Sequence, residues 1–153
     1  FLALCAGEWL ALRSRFDLQA PELPPDPPAA ELQEEPWHRS ERGELVVEHL
    51  APAAAGEIGG LQLRPADGSG PARLTFLTDG RFRGHDGRQG EWQLWPDGTL
   101  ELRLSADGVD RQERIWFTKA NLRLRSAIER HADGRPTQAS FSSEIRRLRR
   151  PPA

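Results

Sequence analysis

One cysteine, Cys5, is all the thiol chemistry this 153-residue chain has. No disulfide framework is available, and a thiolate-held metal centre is excluded. A reducing intracellular compartment is the expected setting. Nothing beside Cys5 marks it as a nucleophile, so it reads as a buried, inert thiol. No long apolar run is present. Phe1 to Ala6 is apolar, but no basic residue precedes it and Glu8 interrupts it, so neither a signal peptide nor membrane insertion is expected. His38, His49, His85 and His131 are dispersed without metal-ligand spacing. There is no G-x-S-x-G, no P-loop and no dinucleotide fingerprint. Lysine is nearly absent: of 21 basic residues only Lys119 is one. A single arginine is therefore, by default, a solvated cation. Net charge is −2, so no basic field recruits nucleic acid.

The apolar fraction is 37% and mean hydropathy −0.64, which is lean for a solid core. Part of the chain is expected to be disordered, and part of the interior to be a polar, ligand-filled cavity. Residues 1–150 read as one domain, followed by a short tail at 151–153. Residues 20–36 are rich in proline and acid, cannot sustain a hydrogen-bonded ladder, and are expected to form an exposed loop. The run Arg146-Arg147-Leu148-Arg149-Arg150 reads as a solvated tail.

From Trp37 onward the signal is β. Asp-Gly occurs six times, at 67, 79, 86, 97, 107 and 133, between short segments of alternating polarity. The pair suits tight hairpins, because a type I′ turn asks for positive φ at both central residues. Candidate strands cover 45–50, 73–77, 91–95, 99–104, 113–117 and 121–128, with a first strand at 9–16 and a last one through 139–147. Leu2, Cys5, Ala6 and Trp9 share a helical face, so a short helix is expected to enter at Gly7. The architecture that follows is all-β: an up-and-down antiparallel barrel of eight to ten strands, with no open edges and room for one small ligand. Gly7-Glu8-Trp9 is similar to the G-x-W that opens lipocalin-like barrels, where the tryptophan closes one end and meets an arginine near the last strand. Arg146 or Arg147 stands at that position.

The richest stretch runs from Glu113 to Arg147. It holds Glu113-Arg114-Ile115-Trp116-Phe117, then Asn121-Leu122-Arg123-Leu124-Arg125-Ser126, a turn at Asp133-Gly134, and Ala139-Ser140-Phe141-Ser142-Ser143-Glu144-Ile145-Arg146. Alternation alone would put Leu122 and Leu124 inside and Arg123 and Arg125 in water. The two blocks resemble the end of the S-type phycobiliprotein lyases, the CpcS/CpeS family, which read E-R-[IL]-W-F-x-x-x-N-L-R-x-R-[ST] and A-S-F-[CS]-S-E-I-R. Ala120 stands where the family often has proline, and Ser142 where many members have cysteine. Leu74 and Phe76 replace a Met-x-Trp pair.

The resemblance implies a lipocalin-like or fatty-acid-binding-protein-like barrel that binds a linear tetrapyrrole, phycocyanobilin or phycoerythrobilin. It implies a lyase that promotes thioether attachment of this bilin to a cysteine of an apo-phycobiliprotein subunit. The bilin is then a bound substrate, with no permanently bound cofactor. Some members work in pairs, so a second lyase subunit or a homodimer is carried as a partner. A cyanobacterial cytosol or plastid stroma is the implied location. By position in the motifs, Arg123, Arg125 and Arg13 would meet the propionates, since a guanidinium pairs a carboxylate bidentately. Glu144, with Glu113, would hydrogen-bond or protonate the pyrrole nitrogens. Ser126 and Ser143 would donate to a lactam carbonyl or serve as spacers in the taper of the barrel; Trp92, Trp95 and Trp116 would pack on a tetrapyrrole face or fill core, and the direction of Trp116 stays open. The alternative readings are a barrel that carries a bilin or fatty acid and catalyses nothing, and the non-catalytic partner subunit of a heterodimeric lyase.

Overall fold

The computed structural model describes residues 1–20 and 37–148. The proline-rich segment, apart from Ala20, lies outside the described residues, as does the tail beyond Leu148. A short helix, α1 (Leu2–Cys5), leads into ten strands: β1 (Gly7–Asp17), β2 (His38–Leu50), β3 (Glu57–Pro65), β4 (Ala72–Leu77), β5 (Arg81–Gly84), β6 (Gln89–Leu94), β7 (Leu100–Ala106), β8 (Val109–Lys119), β9 (Leu122–His131) and β10 (Pro136–Arg146). All neighbours are antiparallel, and β1 pairs with both β2 and β10, so the sheet closes on itself. The expected all-β barrel with its small N-terminal helix is the fold. β5 was not legible as a strand: four residues, Arg-Phe-Arg-Gly, are too few to display alternation.

The Asp-Gly turns are all present, but only Asp107-Gly108 has positive φ at both residues. Elsewhere the glycine alone takes the left-handed conformation, near +80° to +85°. The aspartate closes the turn with its side chain instead: Asp79, Asp86 and Asp133 each accept from the backbone N–H two residues on. This Asx geometry does the work that a second positive φ would otherwise do.

Alternation sorts the side chains into an inside and an outside. Beyond the start of β2, where Glu41 meets Arg15, the inner faces of β2 to β7 are apolar, with Val47, Leu61, Phe76, Phe82, Leu100 and Leu102 buried together. α1 closes one end of the barrel beneath Trp9, whose indole N–H donates to the Cys5 carbonyl at 2.9 Å. Phe117 packs edge-on against Phe1, and 6.1 Å from Trp9. Gly7 sits at φ 142°, and a Cβ there would lie 3.0 Å from the Arg146 guanidinium. That position therefore needs glycine. Arg146 donates to the carbonyls of Leu4, Ala6 and Ala120, tying the helix, the start of β1 and the β8–β9 turn into one plug.

Candidate ligand-binding site

The interior changes character on β1, β8, β9 and β10. Register sets Glu144 beside Arg123 and Ala11, and Ser142 beside Arg125 and Arg13, one pleat further from α1. Glu113 pairs with Ala127 one layer beyond. All these side chains point inward, so a charged wall faces the apolar wall of β2 to β7. Arg123 and Glu144 are 1% and 0% exposed, a depth at which charged groups are almost never found unless paired.

They are paired in a chain. Arg123 donates through Nε to Glu144. Arg125 Nε lies 3.2 Å from the other Glu144 oxygen, and its Nη1 donates to Glu113 at 2.5 Å. Arg111 reaches the second Glu113 oxygen at 3.2 Å and Glu129 at 2.8 Å, extending the chain away from α1. Arg13 donates to the Ser142 hydroxyl at 3.1 Å. Arg15 meets Glu41 at 3.2 Å.

Two features of this wall concern ligands. Arg13, Arg15, Arg111, Arg123 and Arg125 share this wall with Glu41, Glu113, Glu129 and Glu144, so one positive charge is in excess among them. In addition, Nη2 of Arg123 and Oε1 of Glu144 are buried without a hydrogen-bond partner. The Arg123 Nη2 donor is unmatched, while Glu144 Oε1 has only the ion pair with Arg125 at 3.2 Å, and buried groups without hydrogen bonds are costly in an empty interior and useful in a filled one. Burial strips water from Arg123 and the charge of Arg125 adds to the effect, holding its guanidinium below the usual arginine value. Arg13 is lowered by burial and by Arg125 and Arg15 in the same way. Burial opposes the charge of Arg125 as well, but Glu113 and Glu144 outweigh it and raise its value. For Glu113 burial would raise the carboxyl, and the charges of Arg125 and Arg111 carry it below the usual range.

Arg13, Arg123, Arg125, Glu113 and Glu144 are thus brought together. Trp116 and Ser126 are not. Glu113, Ile115 and Phe117 take the inward positions of β8, so the pleat turns Arg114 and Trp116 outward. Ser126 is cross-strand partner to Arg114 and turns outward with it. Ser143 faces out between Ser142 and Glu144. Trp92 packs against the inner core and donates to the Leu77 carbonyl at 3.0 Å. Trp95 lies at the β6–β7 turn, against the outer surface. Arg111 and Glu129 were not singled out from sequence, although both share the inward parity of Glu113 and Arg125. Cys5 is fully buried, and burial pushes its thiol pKa up. Among the described residues no group of histidine, cysteine and carboxylate side chains is placed to hold a metal ion, and no helix is long and apolar enough to cross a membrane.

A closed ten-strand barrel with a plugged end, one apolar wall and one arginine-carboxylate wall places the chain in the class of lipocalin-like barrels. The comparisons with known proteins sharpen that class. The sequence profile described as CpeS-like protein matches residues 81–147, which span β5 to β10 and so most of the charged wall. The chain is 41% identical over 150 residues to chromophore lyase CpcS/CpeS 1 of Paulinella chromatophora, covering 97% of this chain and 86% of that one. It is 28% identical over 187 residues to chromophore lyase CpcS/CpeS 2 of Synechococcus sp. (strain JA-3-3Ab), covering 100% and 91%. The fold is similar to that of the S-type phycobiliprotein lyase CPES from Guillardia theta, with a TM-score of 0.68 at 20% identity, over 98% of this chain and 92% of that one. The chain belongs to the CpcS/CpeS chromophore lyase family.

Proposed function

We propose that this protein is a phycobiliprotein lyase: it holds a linear tetrapyrrole in its barrel and promotes attachment of that bilin to a cysteine of a phycobiliprotein subunit. The observation that carries the reading is the charged wall with its one excess positive charge, facing an apolar wall. A bilin has the matching anatomy: two propionates, a row of pyrrole-type nitrogens and an extended apolar body. Arg123, Arg125 and Arg13 are the anchors for the propionates. Glu144 Oε1, buried and without a hydrogen bond although ion-paired with Arg125, is the acceptor for ring N–H groups. Glu113 is held from both sides by Arg125 and Arg111, and its role is to fix Arg125.

The chemistry is an addition. The acceptor thiolate bonds through sulfur to the ethylidene carbon of the bilin, and the electrons of that double bond pass into the conjugated rings. The bilin takes up one proton, so atoms balance and nothing is oxidised. A bilin protonated on its nitrogens accepts those electrons more readily, which gives a carboxyl group beside them a purpose. The remaining contribution is positioning: the barrel holds the bilin extended in one orientation and shields it from water.

Coexpression with a bilin-producing pathway and an apo-phycobiliprotein tests this. Zinc-induced fluorescence of the acceptor band on a denaturing gel is the expected result. Bilin that copurifies with the barrel but never reaches the acceptor would mark a carrier, and no bilin at all would sink both readings. Within a positive assay, Glu144→Gln should retain bilin, shift its long-wavelength absorption toward the unprotonated chromophore, and slow transfer by about 10²–10⁴-fold.

A further inference from the structure

Thioether formation needs the acceptor thiol within bonding distance of the bilin, so the acceptor subunit has to seat itself where the barrel opens. The side of the barrel is sealed, since every strand is hydrogen-bonded to both neighbours. One end is filled by α1, Trp9, Phe117 and the Arg146 guanidinium. Among the described residues no helix or strand crosses the other end. It is rimmed by the end of β1, the start of β2 and the turns at Asp67, Asp86, Asp107 and Asp133. Those four turns are built on Asp-Gly and offer no large apolar side chain. Of the large apolar side chains left exposed among the described residues, only Leu18 and Trp37 stand at this end, 47% and 42% exposed. The others lie at the α1 end or on the outer wall.

We propose, resting on the lyase reading above, that Trp37 and Leu18 with Arg39 are the docking site for the acceptor subunit, whose matching surface is apolar with a carboxylate at its edge. Trp37 is a held anchor. Its indole lies nearly parallel to the Phe16 ring, centroids 6.1 Å apart at 19°, and Phe16 stacks in turn on His38 at 5.1 Å. The backbone fixes the same corner: the Asp17 N–H donates to the Trp37 carbonyl at 2.8 Å, and the Leu18 N–H to that of Thr137 at 3.0 Å. A stacked, half-exposed tryptophan offers a large contact area and loses little freedom on binding, which is why indoles recur among the residues that carry interfaces.

Charge gives the second half of the match. Arg39 stands directly across from Arg15 on β1, and like charges so placed repel. Glu41 takes Arg15 at 3.2 Å, while Asp17 turns its carboxylate to the N–H of Gln19 at 2.9 Å. Among the described residues no carboxylate pairs with Arg39, so an acidic group on the partner is what it can take. The corner also lies over the right wall. β1 is part of the charged wall, and Gln138, the cross-strand partner of Asp17, is six residues along β10 from Glu144, about 20 Å. A subunit seated on Trp37 overhangs the groups proposed to hold the bilin, with its thiol facing down the barrel.

Docking is read first without bilin. A Gln19→Cys reporter at this corner should react readily with a maleimide in the free protein. An apo-phycobiliprotein subunit with its acceptor cysteine changed to serine should slow that reaction. Trp37→Glu or Leu18→Glu in the reporter protein should abolish the protection, and Arg39→Glu should weaken it. In transfer assays Trp37→Glu and Leu18→Glu should each raise the acceptor concentration needed for half-maximal rate by about tenfold or more, the scale of an anchoring aromatic. Bilin binding and the rate at saturating acceptor should not change. The Leu18 and Arg39 variants keep the test open should Trp37→Glu fold poorly by circular dichroism. A reporter already protected in the free protein would mean that another part of this chain covers the corner, and overturns the proposal. So does protection that survives Trp37→Glu, or an acceptor dependence unchanged in all three variants. A change in the sedimentation mass of the free protein on Trp37→Glu would assign the corner to a second copy and overturn it as well. Protection of the reporter by the subunit without any bilin transfer in the wild type would support the docking site and strike the lyase reading instead.

Discussion

Arg123 stacks on Trp9, its guanidinium carbon 4.3 Å from the centre of the indole, and Arg146 stacks on the same ring at 4.5 Å. The plug of the barrel and the deepest charge of the binding wall are therefore one unit. Cation–π contact contributes most where water is excluded, and Trp9 is among the most deeply buried side chains of the protein. Trp9→Ala should destabilise the fold by about 3–5 kcal/mol, the range for removing a buried large aromatic. Trp9→Phe keeps a ring beneath Arg123 and should cost less, while losing the hydrogen bond to Cys5. Urea denaturation of the three proteins checks the order.

The Arg123–Glu144 pair separates stability from binding. Removing one partner strands the other without its counter-charge, so Arg123→Ala should cost about 3–5 kcal/mol. Replacing both by apolar residues of similar volume, Arg123→Met with Glu144→Leu, should recover most of that loss. The double variant should fold yet fail to hold a bilin. A double variant as unstable as Arg123→Ala would mean that packing rather than charge sets the penalty.

Glu113 should shape the acid limb of stability. Its carboxyl is held low in the folded protein, chiefly by Arg125 and Arg111 working against burial. The stabilisation is fully present above the unfolded glutamate value of about 4.3, and is lost as pH falls through the lower folded value. Glu113→Gln should therefore be less stable near neutrality by about 1.5–3 kcal/mol, the range for a hydrogen bond to a charged group. The gap between variant and wild type should close below about pH 4, where the unfolded glutamate is mostly protonated. Denaturation midpoints across a pH series read this directly.

Cys5 reports on the plug. Buried, with its thiol pKa raised by burial, it should resist thiol reagents until α1 opens. Arg146 holds that segment through three backbone carbonyls. Arg146→Ala should lower the opening free energy by about 1–2 kcal/mol, and so raise the labelling rate of Cys5 roughly 5–30-fold. Unchanged labelling would show that α1 is held by Trp9 and its apolar contacts alone.

Much of this was legible in the residues, and the failures have a common cause. Asp-Gly spacing and alternation announced a barrel, and G-x-W announced Trp9 as its plug. Arg146, not Arg147, is the partner of Trp9, because only the parity of Ser142, Glu144 and Arg146 points inward on β10. Alternation by itself says that neighbours face opposite ways, without saying which way is in. On β9 the hydrophobic rule picks Leu122 and Leu124 for the interior, and the structure takes Arg123 and Arg125. The rule assumes an apolar inside and a wet outside. Here one inner wall is charged and the outer wall behind it is apolar, so the rule inverts on those strands. Trp116 and Ser126 follow from the same inversion: with Glu113 inside, both must face out.

The division of the interior between two stretches of chain has an evolutionary consequence. Most of the arginine-carboxylate wall comes from the C-terminal strands, β8 to β10, and most of the apolar wall from β2 to β7. Substitutions at Leu61, Phe76 or Phe82 can reshape the apolar wall without removing a member of any ion pair. On the proposed reading, a lineage can retune which chromophore its barrel prefers by drift in the middle strands, while the arginines proposed to grip its acidic arms are inherited intact. Chimeras that exchange β2–β7 between relatives offer the corresponding engineering route to new pigment selectivity.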